Sequence, residues 1–289
     1  MPRSPVTLLG AAAALLFTGT PAQATSMPDP AVTDDTIAAQ RSALAASTEG
    51  AGFGPQSPRD IDAVTGSNAR VFEAAPARTE MNLCNIHFHE SAEHKGGEFT
   101  DFRGNGDGKG AGTGYVYSGD LSEAELAGLD EEIGAGPYGS VVPGDTIEVH
   151  YVYSTAQVVP GPTLGACLSE SVMNPQLRVE AQVFVLVNDE DARDFVELTR
   201  IAEIDGLQQA PNLSSDTGTP VQYSGSTTGP GHNEAASPLK VTWSVRPGVA
   251  RVDIRSVGAW FEDNVFDEHH AHSVRNLVMN PDLLSPIVN

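Results

Sequence analysis

Short runs of β-branched and aromatic residues recur from about residue 81 onward, and each run ends near a cluster of Gly, Pro or Asp. Residues of the first kind favour strands, and Gly, Pro and Asp favour the turns between them. The pattern therefore predicts a largely β domain. The predicted strands are CNIHFH (84–89), GYVYSG (114–119), TIEVHYVYST (146–155), LRVEAQVFVLV (177–187), PLKVTWSV (238–245) and RVDIRSVGAWF (251–261).

Two segments have a composition typical of helices, SEAELAGLDEEI (122–133) and DEDARDFVELTRIAEI (189–204). The glycine-rich segment RGNGDGKGAGTG (103–114) is predicted to be a connecting loop. It lacks the Gly-Lys-Ser/Thr end of a phosphate-binding loop and the final Glu of a calcium-binding EF loop.

The first 24 residues have the pattern of a secretory signal. One Arg precedes a short apolar run, and Ala22-Gln23-Ala24 matches a signal cleavage site. The apolar run is shorter than the roughly 20 residues that span a bilayer. We expect cleavage after Ala24 and a periplasmic or secreted location. The expected organisation is a signal peptide over 1–24, a flexible leader over 25–80 with a short helix near 36–47, and one folded domain over 81–289.

The net charge of the chain is −22 at pH 7, from 38 acidic and 16 basic residues. A surface of this sign repels nucleic acids and anionic membranes, so we expect neither as a partner. No segment is long and apolar enough to predict membrane insertion. The acidity favours solubility and identifies no substrate, and the sequence does not predict the number of subunits.

Cys84 and Cys167 are the two cysteines of the chain. In an exported protein such a pair is more commonly a disulfide than two free thiols. The bridge would close a long loop and stabilise the fold by about 2–4 kcal/mol.

Three of the chain's 8 histidines fall within NLCNIHFHESAEHKGG (82–97). Side chains alternate between the faces of a strand, so Asn85, His87 and His89 share one face. Two imidazoles at positions i and i+2 lie about 7 Å apart, which suits two ligands of one metal ion. The same alternation predicts that Cys84 lies on the opposite face, which favours the disulfide over a thiolate ligand.

A catalytic zinc ion commonly has three protein ligands and one open position. The strand TIEVHYVYST offers the third ligand, because Glu148 and His150 share a face at the same i, i+2 spacing. His150 would bind the metal, and Glu148 would accept the hydrogen of its other ring nitrogen. His94, five residues after His89, is an alternative third ligand.

Further along, VQYSGSTTGPG (221–231) precedes PLKVTWSV. Together with the histidine segments, it resembles the carbonic anhydrases of the alpha and delta classes over roughly residues 80–285. The first segment is most similar to the delta class or to a bacterial carbonic-anhydrase-like group. The matching pieces, in the family's chain order, are Asn-x-His-Phe-His (85–89), Glu93-His94, Glu-Val-His (148–150), Tyr-x-Gly-Ser-Thr-Thr-Gly-Pro (223–230) and Val-Thr-Trp (241–243).

The resemblance implies reversible hydration of carbon dioxide to bicarbonate and a proton by a zinc-bound hydroxide, with Co²⁺ or Cd²⁺ as alternative metals. It implies a mainly β (α+β) fold with a large central, mostly antiparallel twisted sheet and a few peripheral helices. The implied zinc ligands are His87, His89 and His150, with Asn85 and Glu148 as hydrogen-bond acceptors behind them. Glu93 would accept a hydrogen bond from a threonine that orients the hydroxide; this threonine is Thr228 or, with a one-residue gap in the alignment, Thr227. Tyr223 and His94 would support the site from behind, and the apolar wall for carbon dioxide would consist of Val152, Val179, Val241 and Trp243.

Two features depart from the family's pattern. The interval between His89 and His150 is longer than is common in the alpha class, so the glycine-rich segment and the segment 122–133 would be an insertion. No histidine falls at the family's usual proton-shuttle position. The candidates for moving a proton are His232 and the DEHHAHS cluster with His269, His270 and His272, but we expect these to be exposed or structural, and not a second metal site.

Two other interpretations stay open at this point. The first cupin motif is also matched, by His87-x-His89 followed by Glu93, and the second is loosely matched by Pro143-Gly144-Asp145 before His150. In a cupin, Glu93 would be a ligand of iron or manganese. Cupins give no reason for GSTTGP or VTW. The other interpretation is a non-catalytic exported metal-binding protein, which predicts a broken ligand set or a missing Glu–Thr pair.

Overall fold

The computed structural model describes residues 31–51, 54–228 and 233–288, and gives only the backbone at Thr227, Thr228 and Pro238. The predicted signal peptide, His232 and the end of the GSTTGP motif lie outside the described residues. Within those ranges, no helix is both long and apolar enough to cross a membrane.

Strands make up most of the regular structure in the part of the chain that is described. The helices are α1 (Asp34–Thr48), α2 (Phe195–Leu198) and α3 (Ile254–Glu262). The strands are β1 (Pro55–Ser57), β2 (Asn82–Glu90), β3 (Asp101–Asn105), β4 (Thr113–Val116), β5 (Ile133–Gly136), β6 (Gly139–Val141), β7 (Thr146–Ser154), β8 (Leu177–Val187), β9 (Ala202–Ile204), β10 (Leu207–Gln209), β11 (Val221–Thr228) and β12 (Ala236–Asp253).

Six strands form one central sheet in the order β1-β11-β12-β8-β7-β2. β11 pairs with β12, β8 with β7, and β7 with β2 in antiparallel fashion, whereas β1 pairs with β11 and β12 with β8 in parallel. Short two-stranded hairpins and the helices lie around this sheet. The prediction of a mainly β fold with a large, mostly antiparallel central sheet and few helices is confirmed.

The central sheet is covered on both faces, since every residue of β7 and of β8 is buried. On one face, Phe88 of β2 packs with Trp260 and Phe261 of α3. On the other face, Val179 of β8 and Trp243 of β12 belong to a second apolar cluster. Each fully buried side chain of this size contributes about 1.5–3 kcal/mol to the free energy of folding, so both layers hold the strands firmly.

A bulge in β2 changes the surroundings of Cys84. The register pairs Leu83 and Asn85 with consecutive residues of β7, so Cys84 is an extra residue without a partner there. Cys84 packs in the same apolar cluster as Val152, on the side of the sheet that carries the histidines. The prediction that Cys84 lies on the opposite face is therefore wrong, although the predicted disulfide with Cys167 is present.

Both predicted helices are largely wrong. The segment 122–133 forms turns and extended chain. The Glu125 carboxylate accepts hydrogen bonds from the backbone N–H and the hydroxyl of Ser122, which closes a local turn. Of the segment 189–204, only α2 is helical, and the Asp194 carboxylate caps its first turn.

The strand predicted over 251–261 is wrong after its first residues. β12 ends at Asp253, whose carboxylate accepts the backbone N–H of Arg255 and begins α3. The apolar residues that follow occur at helical spacing, with Ile254, Val257 and Trp260 buried on one face of α3.

Helix α1 includes the short helix predicted near 36–47 and extends it at the start. Leu44 of α1 packs against Val278, Leu283 and Leu284 near the end of the chain. The glycine-rich segment 103–114, which is predicted to be a connecting loop, contains the end of β3, a turn and the start of β4. These two strands pair as a hairpin, so only the middle of the segment is a loop. The Gln40 amide donates to the carbonyl of Gly108 at 2.7 Å, so α1 and this turn are in contact.

Candidate metal centre

Three histidines meet on the two neighbouring strands β2 and β7. His87 is directly paired with His150, and His89 with Glu148, so the four side chains lie on one face of the sheet. The ring centroids of His87, His89 and His150 are 4.8–5.3 Å apart. One ligand nitrogen from each of these rings lies within 4.8 Å of the others, a grouping that could hold a metal ion.

A hydrogen bond fixes the rear nitrogen of each ring. His87 Nδ1 donates to Asn85 Oδ1 at 2.7 Å, His89 Nδ1 donates to the carbonyl of Ser273 at 2.7 Å, and His150 Nε2 donates to Glu148 Oε1 at 2.9 Å. With a hydrogen on the rear nitrogen, the lone pair of each ring is on the front nitrogen. Sequence reasoning named Asn85 and Glu148 but not Ser273, because a backbone carbonyl leaves no signature in the residue type.

The front nitrogens suit a cation. His89 Nε2 is buried and has no hydrogen-bond partner, an arrangement that a polar atom rarely keeps without a ligand. Three imidazole nitrogens grouped this closely could hold a divalent metal ion.

Burial keeps the imidazoles of His87 and His89 neutral. Burial lowers the pKa of His89 to about 3, with His150 adding to that effect and Glu93 opposing it. Burial and the neighbouring imidazoles also hold the pKa of His87 well below its ordinary value. His87 and His89 are therefore neutral near neutral pH, which is the form in which an imidazole binds a metal.

Glu148 is the centre of a buried hydrogen-bond network behind His150. Its carboxylate accepts from the backbone N–H groups of Glu93 and His94 at 2.7 and 3.0 Å, and from His94 Nδ1 at 2.6 Å. Burial opposes the charge, but His94 and the hydrogen bonds hold the pKa of Glu148 well below its ordinary value. A fixed anion therefore lies behind His150 and holds that ring in place.

His94 contacts this network and not the three convergent nitrogens. Its Nδ1 lies at Glu148, and its Nε2 lies 2.5 Å from the hydroxyl of Tyr223 and 3.3 Å from that of Ser57. Glu148, His94 and His150 form a second group close enough for a metal, but hydrogen bonds to Glu148 already use the relevant atoms. The geometry thus favours His150 over His94 as the third ligand.

The Glu93 carboxylate lies beside the three histidines and is bound by Arg275. It accepts the backbone N–H of Arg275 at 2.9 Å, the guanidinium Nε at 2.8 Å and a terminal guanidinium nitrogen at 2.6 Å. Glu93 Oε2 is 3.8 Å from His89 Nε2. Burial opposes its charge, yet Arg275 and His89 hold the pKa of Glu93 well below its ordinary value.

Arg275 was missed by sequence reasoning, which assigned Glu93 a threonine partner. The side chains of Thr227 and Thr228 lie outside what the structure describes, and their backbone continues β11 beside β12. A single Arg in the segment HSVRN carries no spacing that relates it to Glu93, so no signal in the sequence could have found it.

An apolar cavity of about 490 Å³ opens from the three histidines towards solvent. It is lined by the four residues expected for the wall, Val152, Val179, Val241 and Trp243. The Trp243 ring packs between His94 and His150, with centroids 4.9 and 5.2 Å away. The two hairpins between His89 and His150 also line the cavity, through Lys109 in the turn between β3 and β4 and Tyr138 in the turn between β5 and β6.

The DEHHAHS cluster lies partly at this cavity. His269 is exposed beside Asp267, as expected. His270 and His272 line the cavity, and the His272 ring lies 5.3 Å from that of His87. His272 Nε2 is 2.6 Å from the Glu268 carboxylate. His270 and His272 are partly exposed at the mouth of the cavity, where a long connection brings them close to the three histidines.

Comparisons with known proteins identify a family and three structures to which the chain is similar. A family model described as delta carbonic anhydrase matches residues 78–256. Three solved structures are similar to the chain. An alpha-carbonic anhydrase from Thermovibrio ammonificans in complex with the inhibitor sulfanilamide has 16% identity over 77% of this chain and 84% of that one, with a TM-score of 0.27. An alpha-carbonic anhydrase from Photobacterium profundum has 15% identity over 85% of this chain and 95% of that one (TM-score 0.26), and a halotolerant carbonic anhydrase from Dunaliella salina has 16% identity over 84% of this chain and 86% of that one (TM-score 0.28). The search of the curated proteins finds no match.

The matched region contains β2, β7 and β8, and so contains the three convergent histidines and most of the sheet that positions them. The chain belongs to the delta carbonic anhydrase family. It is accordingly a carbonic anhydrase, a lyase that interconverts carbon dioxide and bicarbonate. The cupin interpretation is wrong, and the Glu93 carboxylate that it would use as a ligand is bound by Arg275 instead.

Proposed function

We propose that His87, His89 and His150 hold one Zn²⁺ ion and that carbon dioxide is hydrated beside it, in the apolar cavity. The observation that carries this proposal is the grouping of one ligand nitrogen from each of the three rings within 4.8 Å of the others, together with an acceptor that holds one nitrogen of each ring. Co²⁺ or Cd²⁺ would fit the same three nitrogen donors. Since all three donors are neutral, the full charge of the cation remains available to the reaction.

Zinc in such a site supplies a hydroxide nucleophile near neutral pH, and carbonic anhydrase itself is the standard example of this effect. The residues of the chain do the remaining work. Val179, Val241 and Trp243 form an apolar surface that suits an uncharged, linear substrate. We assign Glu93, held by Arg275, and either Thr227 or Thr228 to orienting the nucleophile.

A proton has to leave the site in each hydration cycle. His270 and His272 line the cavity between the three ligands and solvent. We include them in the route by which the proton departs, together with solvent in the cavity.

We further propose that the chain is exported, to the periplasm or out of the cell, with residues 1–24 as a signal peptide. The disulfide between Cys84 and Cys167 supports this location, because such bonds form and persist in oxidising compartments. Bicarbonate and carbon dioxide would then be interconverted outside the inner membrane.

The test is to purify the mature chain, count its metal and measure carbon dioxide hydration by stopped flow. We expect one zinc per chain and a hydration rate that a sulfonamide inhibits. His150→Ala should lose both the zinc and the activity, whereas His269→Ala, which changes an exposed histidine, should keep both.

A chain that holds metal and is inert would be a non-catalytic metal-binding protein. A chain that carries iron or manganese and is inert would not be a zinc carbonic anhydrase. Either result would overturn the proposal.

A further inference from the structure

The loop between β7 and β8 is tied to the strand that carries two of the ligands. After β7 ends, the chain passes Gly161 and a short 3-10 turn (Leu164–Cys167), and the disulfide joins Cys167 to Cys84 of β2. The loop also supplies Thr163 and Leu164 to the cavity. The disulfide thus fixes this loop directly beside Asn85, the next residue of β2.

Two hydrogen bonds at Gly161 connect the loop to Cys84 and to Asn85, the next residue of β2. The Gly161 N–H donates to the carbonyl of Cys84 at 3.1 Å, and the Asn85 side-chain N–H₂ donates to the carbonyl of Gly161 at 3.1 Å. Asn85 is 1% exposed, so no water competes for its amide. The loop therefore decides which way the Asn85 amide points.

The direction of that amide decides which nitrogen of His87 carries the hydrogen. With its N–H₂ held by Gly161, Asn85 presents Oδ1 to His87 Nδ1 at 2.7 Å. An acceptor at Nδ1 requires the hydrogen there and leaves the lone pair on Nε2. If the amide turned over, its N–H₂ would face Nδ1, the hydrogen would move to Nε2, and His87 could not bind a metal through that atom.

We propose that the Cys84–Cys167 disulfide is a positioning device for the metal ligand His87, acting through Gly161 and Asn85. This inference rests on the proposed zinc site. It assigns the disulfide a role in metal affinity in addition to its effect on the stability of the fold. Outer hydrogen-bond partners of metal ligands typically change metal affinity by about 10–100-fold, so the effect is measurable.

The experiment measures the dissociation constant of Zn²⁺ itself by competition with a chromogenic chelator. The variants are wild type, Cys84→Ser/Cys167→Ser, Asn85→Ala and the triple variant. We expect the disulfide variant to bind Zn²⁺ about tenfold more weakly than wild type. Because the disulfide acts through Asn85, its removal from the Asn85→Ala chain should cause little further loss.

Glu170→Gln is the matched control. Glu170 is an exposed residue of the same loop and takes no part in the contacts between Cys84, Gly161 and Asn85, so this variant keeps the disulfide and both hydrogen bonds. Its zinc affinity should equal that of wild type. A second readout is the ¹⁵N NMR signature of the His87 ring without metal, which should show hydrogen on Nδ1 in wild type and a mixture of tautomers without the disulfide.

Circular dichroism checks that each variant is folded. If the disulfide variant does not fold, tris(2-carboxyethyl)phosphine is added to the folded zinc-loaded wild type, where the phosphine takes an oxygen atom from water to become its oxide as Cys84 and Cys167 gain their hydrogens. We then expect faster zinc release. Equal zinc affinity with and without the bond, or fully additive losses in the triple variant, would overturn the inference, whereas a wild type that binds no zinc would overturn the proposed function instead.

Discussion

At the scale of single residues, the pair of Glu93 and Arg275 has the strongest consequences. Glu93 is a buried carboxylate next to His89, and the guanidinium of Arg275 holds it at two points with a third bond from the backbone. A bidentate contact fixes the plane of the carboxylate as well as its charge. Arg275 therefore sets the direction in which Glu93 presents its remaining lone pair to the site.

Arg275→Gln should lower the maximal rate of carbon dioxide hydration at least about tenfold, because Glu93 loses its fixed orientation. The zinc content should stay at the wild-type value, since Arg275 does not hold a ligand ring. Stopped-flow kinetics and metal analysis give both quantities.

Removal of one partner from a buried ion pair costs about 3–5 kcal/mol, so the Arg275→Gln measurement belongs at a temperature where the chain is folded. Arg275→Lys, which cannot make the bidentate contact, should give an intermediate rate. Full activity of Arg275→Gln would contradict the assigned role.

The sequence predicts site residues where strand alternation places side chains, and misses those that distant segments supply. The i, i+2 spacing on paired strands is sufficient to predict that His87, His89 and His150 converge. Arg275 and the carbonyl of Ser273 come from the end of the chain. Their positions depend on how that segment crosses the sheet, which no local pattern encodes.

At the scale of elements, the long strands were predictable and the short helices were not. β7 and β8 are continuous runs of buried residues, and their composition is sufficient to identify them. Helix α3 begins inside a run of residues that favour strands, and only the cap at Asp253 and its packing on the sheet make it helical. The bulge at Cys84 depends on the pairing of β2 with β7, so it could not be read from β2 alone.

The wall of the cavity formed by β8 and β12 gives a test of the substrate site. Val179 and Trp243 are paired in register across these strands and both line the cavity. Val179→Tyr should fill the space beside the metal and lower kcat/KM for carbon dioxide about tenfold or more, with unchanged zinc content. Val196→Tyr makes the same change at an exposed position on α2 and should have no effect on kcat/KM. An unchanged kcat/KM in Val179→Tyr would place the substrate elsewhere.

The turn between β6 and β7 carries a carboxyl group that makes stability depend on pH. Burial, with the neighbouring Glu90, raises the pKa of Asp145 to about 6. An acid with a raised pKa in the folded state holds its proton more tightly there than in the unfolded chain. The free energy of unfolding due to this group therefore falls as pH rises from about 4 to about 6, and stays low above that.

Asp145→Asn stays neutral, so at pH 8 its free energy of unfolding should exceed that of wild type by up to about 3 kcal/mol. The advantage should disappear at pH 4, where the wild-type group is also neutral. Urea unfolding at pH 4 and pH 8 measures this difference in the free energy of unfolding. Asp101→Asn, at an exposed position of β3, is the control. A constant difference between pH 4 and pH 8 would exclude the assigned cause.

At the scale of the whole molecule, α1 raises the question of where the folded domain begins. A flexible leader up to residue 80 is predicted from the sequence, because this segment is rich in Ala, Ser and Pro and shows little periodicity. α1 packs Leu44 against Leu283 and Leu284, and the Arg41 side chain donates to the carbonyl of Leu277 at 3.2 Å. These contacts join segments from opposite ends of the chain, so the composition of either segment alone does not predict them.

Leu44→Ala tests whether this packing contributes to the stability of the domain. If it does, the free energy of unfolding should fall by about 2 kcal/mol or more, as for other large-to-small changes at buried positions. Ser42→Ala, at an exposed position of the same helix, should change it by less than about 0.5 kcal/mol. No loss in Leu44→Ala would show that the leader is independent of the domain.

The direct pairing of His87 with His150 has a consequence for folding kinetics. A slip of one residue between β2 and β7 would send His150 to the far layer, and only the native alignment of two distant stretches of chain assembles all three donors. The rate of metal uptake during refolding therefore reports the rate at which these strands reach their native alignment. Metal uptake should rise together with the signal from antiparallel pairing of these strands, and misaligned intermediates should remain metal-free.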